Sequence, residues 1–187
     1  MDRRALVARL LKDRGDLMVV TGLGSATYDV VACGDHPLNF YIWGGLGCTP
    51  SVGLGLALAR PDRRVAVVTG DGDVLMALGS LATIGVKQPA NLSLVCLDNG
   101  HYSATGMQPS ATSAGIDLAQ AAAACRLRIE AVSDLSRIDE LRALLHAGRG
   151  PTFIHARVDA DDQKRIFPSR DGVAIKHRFL QAAGTPG

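Results

Sequence analysis

The sequence has few cysteines and gives them no pattern. Cys33, Cys48, Cys96 and Cys125 lie far apart, without a CxxC pair or a histidine at zinc-ligand spacing. They read as small buried residues of a reducing compartment, which leaves out a zinc module. Nor does charge of one sign accumulate. The 20 lysines and arginines oppose 18 acids, a net charge of +2, and the arginines form no basic tract. Nucleic acid and anionic membrane are therefore not expected as main partners. No apolar run reaches transmembrane length, and the opening MDRRALVARLLKDRGD carries charges throughout an amphipathic pattern, unlike the core of a signal peptide. A cytoplasmic protein is the expectation. Aromatic residues are sparse too, at 4%, whereas glycine reaches 21 of 187 residues, a hint of many close backbone approaches.

What is present is a globular balance, 47% hydrophobic and 20% charged, in a length suited to one domain spanning 1–187. Short apolar runs at 16–20, 39–43, 64–69, 92–97, 126–132 and 152–158 predict strands. Helical patterns at 3–13, 25–33, 49–60, 73–86, 116–124, 134–147 and 171–182 alternate with them. Ser133-Asp134 offers an N-cap to the sixth of these, and Gly148 a stop. Nearly continuous apolar strands belong to parallel sheets covered on both faces. The expectation is an α/β fold: a doubly wound, mainly parallel sheet of about six strands, helices on both faces, and ligands at the strands' carboxyl ends. The segment NGHYSATGMQPSATSAG, residues 99–115, has no clear period, and long loops of that kind are more often functional than idle.

Three glycine-rich patches follow predicted strands. TGLGSAT (21–27) opens a helix, so its amides can cradle an anion, although Thr27 stands where a dinucleotide fingerprint wants a third small residue. A plain turn fits it equally. WGGLGCTPSVGLGLALA sets Gly44, Gly45 and Gly47 beyond the second strand, a pattern that close helix–sheet packing also explains. VTGDGDVLM (68–76) places Asp71 between Gly70 and Gly72 at a strand's carboxyl end, with a helix starting near Asp73. An Asp-Gly turn capped by Asp73 is the plain reading. The alternative is a phosphate on the helix N-terminus, with Mg²⁺ between it and the carboxylate to relieve repulsion. The next strand, in NLSLVCLDNGHY, ends in Asp98-Asn99-Gly100, with 26 residues between Gly72 and Asn99. Adjacent parallel strands would let Asp71 and Asn99 face one cation.

This pairing resembles the signature of thiamine diphosphate enzymes, and the likeness to their diphosphate-binding domain covers nearly the whole chain. The resemblance implies that Mg²⁺ is bound by Asp71, the Asn99 side chain and the backbone carbonyl of His101. It implies that Thr21, Gly22 and Ser25, together with Gly70, Gly72, Asp73 and Val74, border the diphosphate. Leu46 would be the apolar wedge between the cofactor's rings, with Gly45 beside it and the Gly44 carbonyl holding the aminopyrimidine. Tyr102 would lie near the cofactor, and the His101 side chain is a candidate proton donor. Asp98 departs from the family's usual Asn-Asn pair, one residue ahead of the metal contact.

DNGHYSATGMQPS and IKHRFLQA are similar to segments of sulfopyruvate and phosphonopyruvate decarboxylases. That likeness implies decarboxylation of a small anionic 2-oxo acid to an aldehyde and CO₂. It also implies a hetero-oligomer, because the glutamate that activates the aminopyrimidine in this family belongs to the other domain type and is expected on a partner (alpha) subunit. The alternatives are a carboligase subunit resembling acetolactate synthase and a non-catalytic cofactor-binding scaffold. Outside these motifs, Gln108 and Ser110 are candidates for a substrate head group. His155 reads as a satisfied core or edge histidine. Asp29, Asp35 and the acids of 159–162 read as solvated charges.

Overall fold

The computed structural model describes residues 1–161 and 163–184. The chain opens with α1 (Arg3–Leu10), capped by Asp2, which accepts from the Ala5 N–H at 2.7 Å. It then alternates β1 (Met18–Thr21), α2 (Ser25–Ala32), β2 (Asn39–Tyr41), α3 (Thr49–Ala59) and β3 (Val65–Gly70). Next come α4 (Asp71–Met76), α5 (Leu78–Lys87) and β4 (Leu92–Asp98). A small hairpin of β5 (His101–Tyr102) and β6 (Gln108–Pro109) precedes α6 (Leu118–Ala124) and β7 (Arg128–Val132). A 3₁₀ turn at Leu135–Arg137, α7 (Ile138–Ala147), β8 (Thr152–Arg157) and α8 (Gly172–Ala183) follow.

Six strands pair in parallel in the order β2-β1-β3-β4-β8-β7. Alternate strand residues feed two cores, as a period of two requires. Val19, Ala66, Val68 and Val95 pack with α1, α2 and α7 on one face. Val20, Val65, Val67 and Leu94 pack with α3, α5 and α6 on the other. The chain runs outward from β1 to β2 and then returns across the sheet to β3. The strand order therefore reverses at β1 and β3, and that switch point opens a crevice at their carboxyl ends. The β3–β4 register sets Gly70 opposite Leu97, so the residues that follow, Asp71 and Asp98-Asn99, emerge side by side.

Every predicted strand is present. The predicted helix at 73–86 differs: it starts earlier, at Asp71, and breaks at Ala77, whose N–H bonds back to the carbonyls of Asp73 and Val74. The hairpin of β5 and β6 was not foreseen within 99–115, because two-residue strands leave no periodic trace. Gly148 ends α7 in the left-handed region, as expected, but Asp134 caps the 3₁₀ turn and not α7, which starts four residues later than predicted with Arg137 at its N-cap. Among the described residues, no helix is long and apolar enough to cross a membrane.

The approach of α3 to the sheet sets where the 44–47 loop lies. A Cβ on Gly53 would stand 2.1 Å from Cγ2 of Val67, a stiff β-branched side chain inside the sheet. Gly55, two residues on, faces open space. Gly53→Ala should therefore destabilise by about 1–3 kcal/mol through overpacking. Gly55→Ala should stabilise by about 0.4–1 kcal/mol by restricting the unfolded chain. Urea unfolding of the two variants checks the pair, and equal effects would contradict the packing.

Candidate active site

The crevice contains about 620 Å³ of empty space, part of it open to solvent. Its walls come from the loop after β1, the tip of the 44–47 loop, the end of β3 and the hairpin after β4. Among the residues expected at the site, Ser25, Leu46, Gly70, Asp71, Gly72 and Asp73 line it, and so do Asn99, His101 and Tyr102. Leu46 is 36% exposed at the crevice. Thr21 and Val74 turn away from it. The Thr21 hydroxyl is buried against that of Thr27, and Val74 belongs to the α3–α5 core. Gly22, Gly44 and Gly45 are not among its lining residues.

Asp73 is not the helix cap that the sequence suggests. Gly70 holds the N-cap position of α4, and both oxygens of the Asp73 carboxylate accept from distant partners. Oδ1 takes the Gly47 N–H and Oδ2 takes the Thr69 hydroxyl. Gly22 lies so close that its Cβ would stand 2.7 Å from Asp73 Oδ2. One buried side chain thus ties all three glycine patches together. The same tightness appears at Gly72, where a Cβ would lie 2.5 Å from the Tyr102 ring.

Asp71 is buried, and Oδ2 accepts from the Ser110 hydroxyl and lies 3.2 Å from Thr112 Oγ1. Thr112 Oγ1 also sits 2.8 Å from Asp98 Oδ1, which accepts from the Gly100 N–H at 3.0 Å. Asp98 Oδ2 lies 2.7 Å from His155 Nε2 and 3.4 Å from Arg157 Nη1. The two buried acids differ in company and therefore in pKa. Burial pushes Asp71 up, and the nearby Asp98 charge adds to this, while the Ser110 bond opposes it. Burial pushes Asp98 up too, but bonds from His155 and Thr112, with the Arg157 charge, outweigh it and leave the carboxyl below its usual value.

Asn99 is held on both sides: Nδ2 donates to Ser103 Oγ at 2.8 Å, and Oδ1 accepts from the His101 N–H at 3.0 Å. His101 Nδ1 lies 2.8 Å from the Asn99 carbonyl, which can only accept, so the neutral ring carries its proton on Nδ1. Carboxylate, amide and carbonyl oxygens at neighbouring strand ends form a hard donor set that suits Mg²⁺. The hydroxyl contacts to Asp71 fall on Oδ2, so the donor chemistry of the crevice fits that ion. Among the described residues there is no cluster of three or more His, Cys, Asp or Glu able to hold a metal, so any cation here relies on amide or carbonyl oxygens.

Several sequence expectations change. Ser110 is buried on Asp71 and does not face a substrate, and Gln108 instead bonds Thr105 at the exposed hairpin. Asp29 is fully buried between Arg3 and Arg4; burial pushes its pKa up while both guanidinium groups pull it down. Asp35 pairs with Arg178, Asp159 with the N-terminal ammonium and Asp161 with Arg3. Asp162 lies outside the described residues. His155 is satisfied, as expected, but its partner is Asp98. Sequence reasoning missed Arg3, Leu23, Gly24 and the 103–105 turn in the lining, and Thr112 beneath it. A hydroxyl-rich run in 110–113 was the one available signal.

Fold and crevice together define a doubly wound α/β domain with an oxygen-rich, glycine-walled binding site at its switch point. Residues 22–156 match the family described as thiamine pyrophosphate enzyme, C-terminal TPP binding domain, and the chain belongs to that family. It is 41% identical to a phosphonopyruvate decarboxylase of Streptomyces viridochromogenes over 98% of this chain, but spans only 47% of that protein. It is 32% identical to the sulfopyruvate decarboxylase subunit beta of Methanothermobacter thermautotrophicus, covering 97% of this chain and 95% of that one. The fold also matches a thiamine diphosphate-dependent 4-hydroxybenzoylformate decarboxylase of Rhodococcus jostii, with a TM-score of 0.67 at 22% identity over 87% of this chain and 33% of that one.

The role of Asp73 has a direct consequence. An amide at this position would set an N–H₂ against a donor on one side. Asp73→Asn should lower stability by about 1–3 kcal/mol. It should also raise amide exchange at Gly47. Unchanged exchange at Gly47 would refute the tie between the loops.

Proposed function

We propose that this chain is the thiamine diphosphate- and Mg²⁺-binding subunit of a cytoplasmic, hetero-oligomeric 2-oxo acid decarboxylase. Its substrate is a small anionic 2-oxo acid of the sulfopyruvate or phosphonopyruvate type, converted to the aldehyde and CO₂. The observation that carries this reading is the 32% identity to a protein named as a sulfopyruvate decarboxylase beta subunit, together with the oxygen-rich crevice at the ends of β3 and β4. The glutamates support it as well. The chain contains just two, Glu130 and Glu140. Both are paired with arginines of β7 and the 3₁₀ turn, and neither lines the crevice. In this reading the activating glutamate belongs to a partner subunit.

The chemistry that the bound cofactor supplies is a sink for the electron pair left when CO₂ departs. The residues of this chain hold and shield. Asp71, Asn99 and the His101 carbonyl offer three oxygens to Mg²⁺, and the glycine walls admit phosphate oxygens close to the backbone. Leu46 presents apolar surface that excludes water from the reacting centre. His101, with Nδ1 committed to the Asn99 carbonyl, keeps Nε2 as the ring nitrogen able to pass a proton to the substrate.

Purified alone with thiamine diphosphate, Mg²⁺ and sulfopyruvate or phosphonopyruvate, the chain should release no CO₂ above background. Adding the glutamate-bearing subunit should restore turnover. Robust release by the chain alone would sink the two-subunit reading.

A second expectation concerns Asp71. Its folded pKa is raised, so the ionised carboxylate costs stability, and that cost appears as pH rises from the unfolded to the folded value. At pH 7.5 without metal, Asp71→Asn should melt no lower than the unaltered chain. The added stability conferred by Mg²⁺ with thiamine diphosphate should vanish. A Mg²⁺-dependent rise in melting temperature that survives the substitution would refute the metal assignment.

A further inference from the structure

Beneath the crevice, one hydroxyl stands between two buried carboxylates. Thr112 Oγ1 is 2.8 Å from Asp98 Oδ1, 3.2 Å from Asp71 Oδ2 and 2.9 Å from Ser110 Oγ. All four residues are buried, with relative exposures of 1–4%, so water does not compete for these contacts. Among the described residues, the hydrogen-bond partners of the Asp71 carboxylate are hydroxyls, with no cationic side chain. The Ser110 hydroxyl donates to this carboxylate, and the single Thr112 hydroxyl proton lies between Asp98 Oδ1 and Asp71 Oδ2; the loop that carries both is itself fastened to the end of β4. The Ser110 N–H donates to the Gly100 carbonyl at 2.8 Å, and Asp98 Oδ1 accepts both from Thr112 and from the Gly100 N–H.

Asp98 is in turn fixed from the neighbouring strand. The β4–β8 register puts Asp98 opposite Arg157, and His155, two residues earlier on β8, bonds its Oδ2 at 2.7 Å. The same carboxylate therefore braces two things at once: the Asp98–Gly100 turn that presents Asn99, and the hydroxyl that touches Asp71.

We propose that Thr112, held by Asp98, is a positioning residue that sets the Asp71 carboxylate for cation binding, so that the oxygens of β3 and β4 are aligned as one unit. This rests on the reading of Asp71 as a Mg²⁺ ligand. Buried partners behind a ligand typically govern metal affinity by about 10–100-fold, because they fix the direction of its lone pairs. The departure from an Asn-Asn pair at position 98 gains a physical reason. A carboxylate accepts four contacts here, from Thr112, Gly100, His155 and Arg157, where an amide would bring a donor edge against one of them.

The test uses Mn²⁺ as probe, with the full chain purified together with its partner subunit and saturating thiamine diphosphate. Free Mn²⁺ is read by electron paramagnetic resonance. Thr112→Val, which keeps the shape and removes the hydroxyl, should weaken Mn²⁺ binding by about tenfold or more. Thr112→Ser should restore it to within about twofold. Asp98→Ala should weaken binding by a comparable factor, and the double variant Asp98→Ala with Thr112→Val should be no weaker than the weaker single variant, because both break one path. Melting temperatures identify any variant that fails to fold, and if Asp98→Ala does, the Thr112 pair decides. Asp71→Asn serves as the reference. If it abolishes Mn²⁺ binding while Thr112→Val binds normally, the positioning role is overturned and the metal reading stands. If Asp71→Asn binds Mn²⁺ as well as the unaltered chain, the metal reading itself has failed.

Discussion

A carboxylate buried at the end of a central strand is the constraint on which the rest of the structure depends. Removing an ionised acid from water is costly unless hydrogen bonds or an opposite charge replace the lost hydration. At Asp71 the replacement is partial. Two hydroxyls face one oxygen, no cationic side chain among the described residues pairs with it, and burial raises its pKa. In the proposed function a cation completes this site. The neighbouring acid, Asp98, is completed by His155 and Arg157 and serves as structure instead. Two carboxylates at adjacent strand ends thus take opposite roles because their surroundings differ.

The glycine patches, which invite a choice between packing and ligand binding, are tightly packed at several points. Gly22 and Gly47 converge on the Asp73 carboxylate, and Gly72 lies under the Tyr102 ring. Close approach of glycine backbone to buried side chains is what shapes the crevice walls. The 44–47 loop is held at one end by Asp73 and at the other by α3, whose Gly53 lies flat on the sheet. Leu46 is carried between these two anchors.

Most of the fold was legible because its strands are continuous apolar runs that burial on both faces demands, and the Asp71–Asn99 pairing followed from putting successive strands side by side. What escaped reading depends on contacts between elements that are distant in sequence. Asp29 looks like a surface acid until α1 brings Arg3 and Arg4 against α2. Asp98 and His155 are 57 positions apart and meet only because β8 inserts between β4 and β7, an order no local pattern encodes. Asp73 looks like a helix cap because its spacing suits one, yet its partners Gly47 and Thr69 outcompete that local role. The hairpin after β4 was invisible for a different reason: two-residue strands are too short for periodicity.

The most direct measurement is a crystal structure of the chain with its partner subunit, thiamine diphosphate and Mg²⁺. The account predicts the ion about 2.0–2.1 Å from oxygens of Asp71, Asn99 and the His101 backbone. It also predicts a glutamate of the other subunit against the cofactor's ring. A metal bound elsewhere, with Asp71 still held only by Ser110 and Thr112, would contradict it.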